Sequence, residues 1–128
     1  MKYLLPVILI FIIGCNKKEN VCTVELNKSF QLAYGKTMCM SSEPLKISFD
    51  AVEENRCPPN AMCVWQGVAN IKATITINGT QYPVVLQTMK HGAYDKVVYL
   101  QGYTIQMNDL TYYPASKKEY KAELIITK

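Results

Sequence analysis

Hydrophobic and polar residues alternate along most of this chain with a period of two. Leu45, Ile47 and Phe49 alternate with polar residues, and segments 103–107 and 120–126 repeat the pattern. Successive side chains of a strand point to opposite faces, so the alternation predicts strands with one buried face. Because no stretch keeps the helical period of 3.6 over several turns, we expect an all-β protein.

The clearest predicted element is a hairpin at Asn78-Gly79, since both residues accept the positive φ angles of a type I′ turn. Extending the pairing outward from this turn places Ile75 opposite Tyr82 on an apolar face, and the register continues without a slip. Pro83 has no amide donor. We therefore expect the second strand to lie at a sheet edge or to contain a bulge.

The pattern as a whole predicts seven strands, at residues 28–34, 45–53, 68–77, 80–88, 94–101, 102–110 and 118–127. Seven short strands with turns between them suit two antiparallel sheets packed face to face, or a small β-barrel. We favour the sandwich. A chain of 128 residues is long enough for one such domain and too short for two, and we assign the domain to residues 22–128.

The first 14 residues are typical of a lipoprotein signal peptide. Lys2 is followed by an apolar run over 4–13, which ends in Gly14-Cys15. A membrane-spanning helix needs about 20 apolar residues, so this run is too short to span a bilayer. We expect cleavage before Cys15 and attachment of fatty acyl chains, such as palmitate, to that residue.

Residues 15–21 are mostly polar and predict a flexible tether between lipid and fold. Acyl chains contribute about 0.8 kcal/mol per buried CH₂, so two or three of them hold a small domain to a bilayer. The expected location is the bacterial cell envelope, with the lipid in the outer membrane or the outer face of the plasma membrane. The formal net charge of +4 is spread without a long basic block, which argues against nucleic-acid binding.

Four cysteines follow the predicted lipidation site, an even number in an exported chain, and this predicts two disulfides. The most economical of the three pairings joins Cys22 to Cys39 and Cys57 to Cys63, because 58–60 is a Pro-Pro-Asn turn sequence. Closing these loops would contribute about 3 and about 2 kcal/mol. The alternative is a reduced Cys-x5-Cys metal site.

Candidates for chemistry are few. His91 is the only histidine, and its loop-like context predicts a solvated surface residue. The sequence contains no glycine-rich phosphate loop, zinc helix or nucleophile elbow. Asp50, Glu53 and Glu54 precede Arg56, and paired carboxylates can perform acid/base chemistry on sugars. We expect instead that Asp50 points outward from its strand and that the two glutamates solvate the end of the strand. We therefore predict a non-enzymatic protein without a cofactor.

A soft-metal function stays open as an alternative. Met38-Cys39-Met40 and Met62-Cys63 place thioether and thiol groups side by side, and such ligands suit Cu(I). Methionine also fills gaps in cores, and no histidine joins these clusters.

Segment 55–69 carries Arg56-Cys57-Pro58, then Cys63-Val64-Trp65-x-Gly67-x-Ala69. It resembles the signature of a family of small, mostly uncharacterised bacterial β domains that are secreted or lipid-anchored. The resemblance covers about residues 45–127, although members often have Asp-Ser where this chain has Glu54-Asn55. It implies a β fold and an envelope location but no activity. Trp65 is expected to cover the disulfide or cap the core, and Gly67 to permit close approach or a bulge.

These features predict a membrane-anchored binding or envelope-support domain whose partner is an envelope protein or a carbohydrate. The candidate binding residues are Arg56, Pro58, Pro59, Asn60, Ala61, Met62, Tyr112 and Tyr113. A protease-inhibitor-like module is the alternative, because a disulfide and prolines preorganise the loop and lower the entropy lost on docking. An inhibitor would expose 58–62 as a convex loop, a carbohydrate binder would expose a row of tyrosines, and an enzyme would place His91 in a cleft beside carboxylates.

Overall fold

The computed structural model of the protein describes Gly14 and residues 22–128. The rest of the predicted signal peptide, the predicted lipidation site Cys15 and the predicted tether lie outside the described residues. Residues 22–128 form two four-stranded antiparallel sheets packed face to face. The predicted β-sandwich is confirmed, and the sheets do not close into the alternative barrel.

The described residues contain eight strands: β1 (Ser29–Ala33), β2 (Thr37–Cys39), β3 (Leu45–Glu54), β4 (Ala69–Ile77), β5 (Thr80–Gln87), β6 (Val97–Leu100), β7 (Tyr103–Leu110) and β8 (Lys121–Thr127). The strand order is β1-β8-β7-β6 in one sheet and β2-β3-β4-β5 in the other. One turn of 3₁₀ helix, Lys117–Glu119, precedes β8.

The hairpin between β4 and β5 has the predicted register. Asn78 and Gly79 form the turn with φ angles of 50° and 81°, and Ile75 pairs with Tyr82. Pro83 lies on β5, which is an edge strand of its sheet. Its missing amide therefore removes no hydrogen bond from the interior of the sheet.

Three strands differ from the pattern-based prediction by more than one residue. Strand β2 was not predicted, because three residues are too few to show alternation. Strand β6 begins at Val97 instead of residue 94, since residues 88–96 form a loop that a His91–Tyr94 bridge holds. Strand β8 begins at Lys121 instead of residue 118, because the 3₁₀ turn occupies the preceding residues.

The core lies between the sheets and is filled by alternate residues of both. The largest of its fully buried side chains include Phe49, Ile71, Ile75, Leu86, Ile105, Leu124 and Ile126. Each such side chain contributes about 1.5–3 kcal/mol relative to an exposed one. Burial on one face of each strand is the consequence expected from the alternation in the sequence.

The sandwich has two ends, which we call the tether pole and the loop pole. At the tether pole, Leu45 pairs with Ile77, and the Tyr103 hydroxyl donates to Glu43 across the sheets at 2.7 Å. The predicted disulfide between Cys22 and Cys39 is present at this pole and ties the start of the domain to β2. The tether pole is thus where the chain arrives from residues 15–21.

The loop pole is the opposite end, where Glu54 pairs with Ala69. The three longest connections between the described strands meet there, at residues 55–68, 88–96 and 111–120. At the tether pole, the hairpin turns Asn78-Gly79 and Gln101-Gly102 have two residues each, and the β2–β3 connection has five. Most of the irregular surface therefore lies at the loop pole.

Candidate functional site

The connection between β3 and β4, residues 55–68, is a disulfide-closed loop that we call the cystine loop. The predicted bond between Cys57 and Cys63 is present, with the two Cα atoms 5.8 Å apart. The Asn55 amide donates to the Val68 carbonyl at 3.0 Å, and the Cys57 amide donates to the Gln66 carbonyl at 2.8 Å. The β3–β4 hairpin thus continues into the base of the loop, which fixes the direction of its tip.

Gly67 permits the close approach that was expected of it. It has a φ of 72°, and a Cβ atom built there would lie 2.1 Å from the Asn55 carbonyl oxygen. No side chain fits at that distance. The two arms of the cystine loop therefore meet backbone to backbone.

Arg56 belongs to the interior network rather than to the exposed binding surface that we predicted for it. Its side chain is only 12% exposed and forms an ion pair with Glu54 at 2.5 Å. It also donates to the carbonyls of Leu110 and Thr111, at 3.2 and 2.7 Å. Leu110 ends β7 and Thr111 follows it, so Arg56 joins the two sheets at the loop pole.

The contacts around this ion pair shift the pKa values of Glu54 and Tyr120. Burial alone raises the pKa of Glu54, but hydrogen bonds from Arg56 and Tyr120 outweigh burial and hold that pKa below its usual value. Burial, together with the hydrogen bond that its hydroxyl donates to Glu54, raises the pKa of Tyr120 to about 12. The arrangement therefore favours a charged carboxylate beside a neutral phenol.

Tyr112 and Tyr113 lie against the cystine loop, as the predicted binding surface required. The Tyr112 hydroxyl donates to the Cys57 carbonyl, and the Tyr113 hydroxyl donates to the Arg56 carbonyl. The guanidinium of Arg56 lies 5.1 Å from the centre of the Tyr112 ring. Both hydroxyls are thus used to hold the loop, and only the half-exposed ring of Tyr112 is open to a partner.

The tip of the loop, residues 58–65, stands in solvent. Pro58, Pro59, Asn60, Ala61 and Met62 are all exposed, as predicted for a convex loop. Met62 and Val64 have relative exposures of 104% and 107%, the values of side chains without neighbours. Fully exposed large aliphatic residues on a braced loop are a feature that the fold itself does not require.

Trp65 does not cap the core, which was one of the two roles expected of it, because it is not among the side chains packed against the core. Trp65 is 52% exposed, and its ring lies against that of His91 in a tilted arrangement, with ring centres 4.9 Å apart. Trp65 instead links the cystine loop to the 88–96 loop, where Tyr94 is also 47% exposed.

A small cleft of about 140 Å³ lies behind the cystine loop. Arg56 and Gln66 line it on one side, Thr88 and Met89 on another, and Asn108 and Asp109 of β7 on the third. His91 is exposed and does not line this cleft. This cleft therefore does not place His91 beside carboxylates, which was the arrangement expected of an enzyme.

The cysteine sulfur atoms of the proposed soft-metal clusters are in disulfides, Cys39 with Cys22 and Cys63 with Cys57. Met40 is buried in the core, and Met62 is exposed. Among residues 22–128, no group of three histidine, cysteine or carboxylate side chains is placed to hold a metal. In the same residues, no helix has the length and apolarity needed to cross a membrane.

The sequence did not single out Val64 and Tyr94 as surface residues. The available signal was the absence of any charged residue from 57 to 67, where an exposed loop would ordinarily carry charges.

Comparison with protein-family models, curated proteins and solved structures finds no significant match. The family resemblance therefore stays a prediction.

Proposed function

We propose that this protein is a lipid-anchored, non-enzymatic binding domain of the bacterial cell envelope that captures a partner with the tip of its cystine loop. The observation that carries the proposal is the complete exposure of Met62 and Val64 on a braced loop. Apolar side chains exposed in this way gain free energy only when a partner covers them, at about 25 cal/mol per Å² of apolar surface.

The bracing around the tip favours binding. The disulfide, the Gly67 contact and the hydrogen bonds from Tyr112 and Tyr113 restrict the loop before a partner arrives. Less conformational entropy is then lost on docking, and more of the contact energy appears as affinity. Two disulfides are also compatible with an oxidising, extracytoplasmic location.

The anchor is tested by mass spectrometry of the protein purified from its own membranes. We expect a mature chain that starts at Cys15 and carries lipid, and we expect Cys15→Ala to accumulate as a full-length precursor. An intact Met1 or an unmodified Cys15 in the native protein contradicts the anchor.

The binding surface is tested with the full chain solubilised from membranes and used as bait in envelope extract. Val64→Asp is expected to lose the specific partner, while Tyr99→Asp is expected to retain it. Tyr99 is the matched control, because it is 80% exposed but lies on β6, outside the loop. Recovery of the same partner by both variants would place the binding surface elsewhere.

A protease-inhibitor-like function is the second candidate, because residues 58–62 are all exposed on a disulfide-closed convex loop. In that case Met62 would enter an apolar specificity pocket. Stoichiometric inhibition of chymotrypsin, subtilisin or elastase, lost in Met62→Asp, is the expected result. Cleavage of the loop without inhibition excludes this function for the enzyme tested.

A further inference from the structure

The exposed apolar side chains of this protein are concentrated at one pole. Among the described residues, six large hydrophobic side chains are exposed, and five of them lie on the three connections of the loop pole. These five are Met62, Val64, Trp65, Tyr94 and Tyr112. The tether pole instead presents polar groups, such as the paired Lys128 and Glu43 and the exposed Lys46.

The length of the tether limits which pole can face the anchoring bilayer. The chain from Cys15 to Cys22 spans at most about 25 Å when fully extended. Strand β3 has ten residues and alone separates the poles by about 30 Å. With Cys15 at the bilayer surface, the tether is too short for the sandwich to turn its loop pole squarely onto that bilayer.

We infer that the loop tip points away from the bilayer that holds Cys15 and docks into an apolar pocket on a protein beyond the loop pole. The inference rests on the proposed function, since it takes both the anchor and the binding tip from it. It adds the direction of the tip and the kind of surface that receives it.

The chemistry of the tip favours a protein pocket over a lipid headgroup layer or a glycan. Residues 57–67 carry no charge, so the tip offers no counter-charge to phosphate or to acidic polymers. Its most exposed groups, Met62 and Val64, are aliphatic and cannot form the hydrogen bonds that a sugar requires. A convex apolar knob is complementary to the concave apolar pockets of folded proteins.

Trp65 is the only tryptophan of the chain and lies in the loop tip, so its fluorescence reports directly on the direction of the tip. The full lipidated protein is reconstituted into phosphatidylcholine vesicles that contain brominated acyl chains. We expect no quenching by the brominated lipid and strong quenching by aqueous acrylamide. Quenching by the brominated lipid would overturn the inferred direction.

A variant with about 20 Gly/Ser residues inserted after Asn20 tests whether the tip avoids lipid only because the tether is short. The longer linker allows the loop pole to touch the bilayer, so any affinity of the tip for lipid would then be seen. The lengthened protein is still expected to resist quenching by brominated lipid. If only this variant is quenched, the tip has affinity for lipid and the assignment to a protein pocket is wrong.

The partner class is tested in intact cells with a diazirine analogue of methionine at position 62 of the full chain and, as a control, a diazirine residue at position 99. Light is expected to produce one discrete protein adduct from position 62 and none from position 99. Val64→Asp is expected to lower the adduct yield by about tenfold or more.

The adducts also separate failure of this inference from failure of the proposed function. A lipid or glycan adduct from position 62 overturns the protein pocket but leaves a binding loop. The absence of any adduct overturns both.

Discussion

Arg56 and Glu54, two residues apart at the end of β3, form a bidentate ion pair with N–O distances of 2.7 and 2.5 Å. Both side chains are nearly buried, at 12% and 13% exposure. The remaining donors of Arg56 reach carbonyls at the end of β7, so the pair fastens one sheet to the other at the loop pole. The cystine loop rests on this connection.

Arg56→Ala is therefore expected to destabilise the fold by about 3 kcal/mol, because it leaves a nearly buried carboxylate without its partner. Lys72→Ala is the matched control. It breaks the Lys72–Glu53 pair, whose side chains are about half exposed, and is expected to cost less than about 1 kcal/mol. Urea unfolding measures both, and equal losses would contradict the structural role of Arg56.

The lowered pKa of Glu54 predicts acid sensitivity. Burial alone opposes the charged form, but the bonds from Arg56 and Tyr120 favour it more strongly. A carboxylate with a lowered pKa in the folded state contributes stability above its unfolded pKa, and this contribution is lost as the pH falls through the folded value. Glu54→Gln should flatten the acid limb of stability against pH. Parallel curves for the two proteins would refute this.

The pKa of Tyr120, raised from its usual 10.0 to about 12 mainly by burial, predicts a second, alkaline loss. A phenol with a raised folded pKa contributes stability that is complete below the unfolded pKa and is lost as the pH rises through the folded value. The free energy of unfolding should fall by about 2 kcal/mol between pH 10 and pH 12 because of this residue. Tyr120→Phe should lack this component, whereas Tyr99→Phe, at an exposed position, should retain it.

Gly67→Ala is expected to prevent folding or to lower the free energy of unfolding by several kcal/mol, because its Cβ would overlap the Asn55 carbonyl. Gly79→Ala is the control that measures the cost of a positive φ without steric overlap. Gly79 also has a positive φ, of 81°, but a Cβ there meets nothing within 4 Å. A loss of about 1 kcal/mol is expected. Thermal unfolding of the two variants with the same midpoint would rule out the steric explanation.

Trp65→Ala is expected to cost about 1 kcal/mol or less, since Trp65 is half exposed and its ring lies against that of His91 outside the core. Phe49→Ala, in which a fully buried ring is lost, should cost about 3–5 kcal/mol. Chemical denaturation compares the two. A loss from Trp65→Ala as large as that from Phe49→Ala would restore the capping role first expected of the tryptophan.

Much of the fold was predictable because its signals are local. Alternation over a few residues identified the strands, and Asn78-Gly79 defined both a turn and the register beyond it. The disulfide pairing followed from an even cysteine count and a turn sequence between Cys57 and Cys63. Strand β2 was not predicted, since three residues are too few to show the alternation of hydrophobic and polar side chains.

The sequence by itself determined the all-β class, the hairpin register and the disulfide-closed loop. Only the tertiary structure decided that the strands form a sandwich and not a barrel, and that Arg56 turns inward and Trp65 outward. The carbonyls that receive Arg56 are those of Leu110 and Thr111, more than 50 residues away along the chain. Trp65 lies against His91 of the 88–96 loop and is not among the side chains that pack on the core. Local pattern carries no information on such contacts, because they exist only after the two sheets have packed.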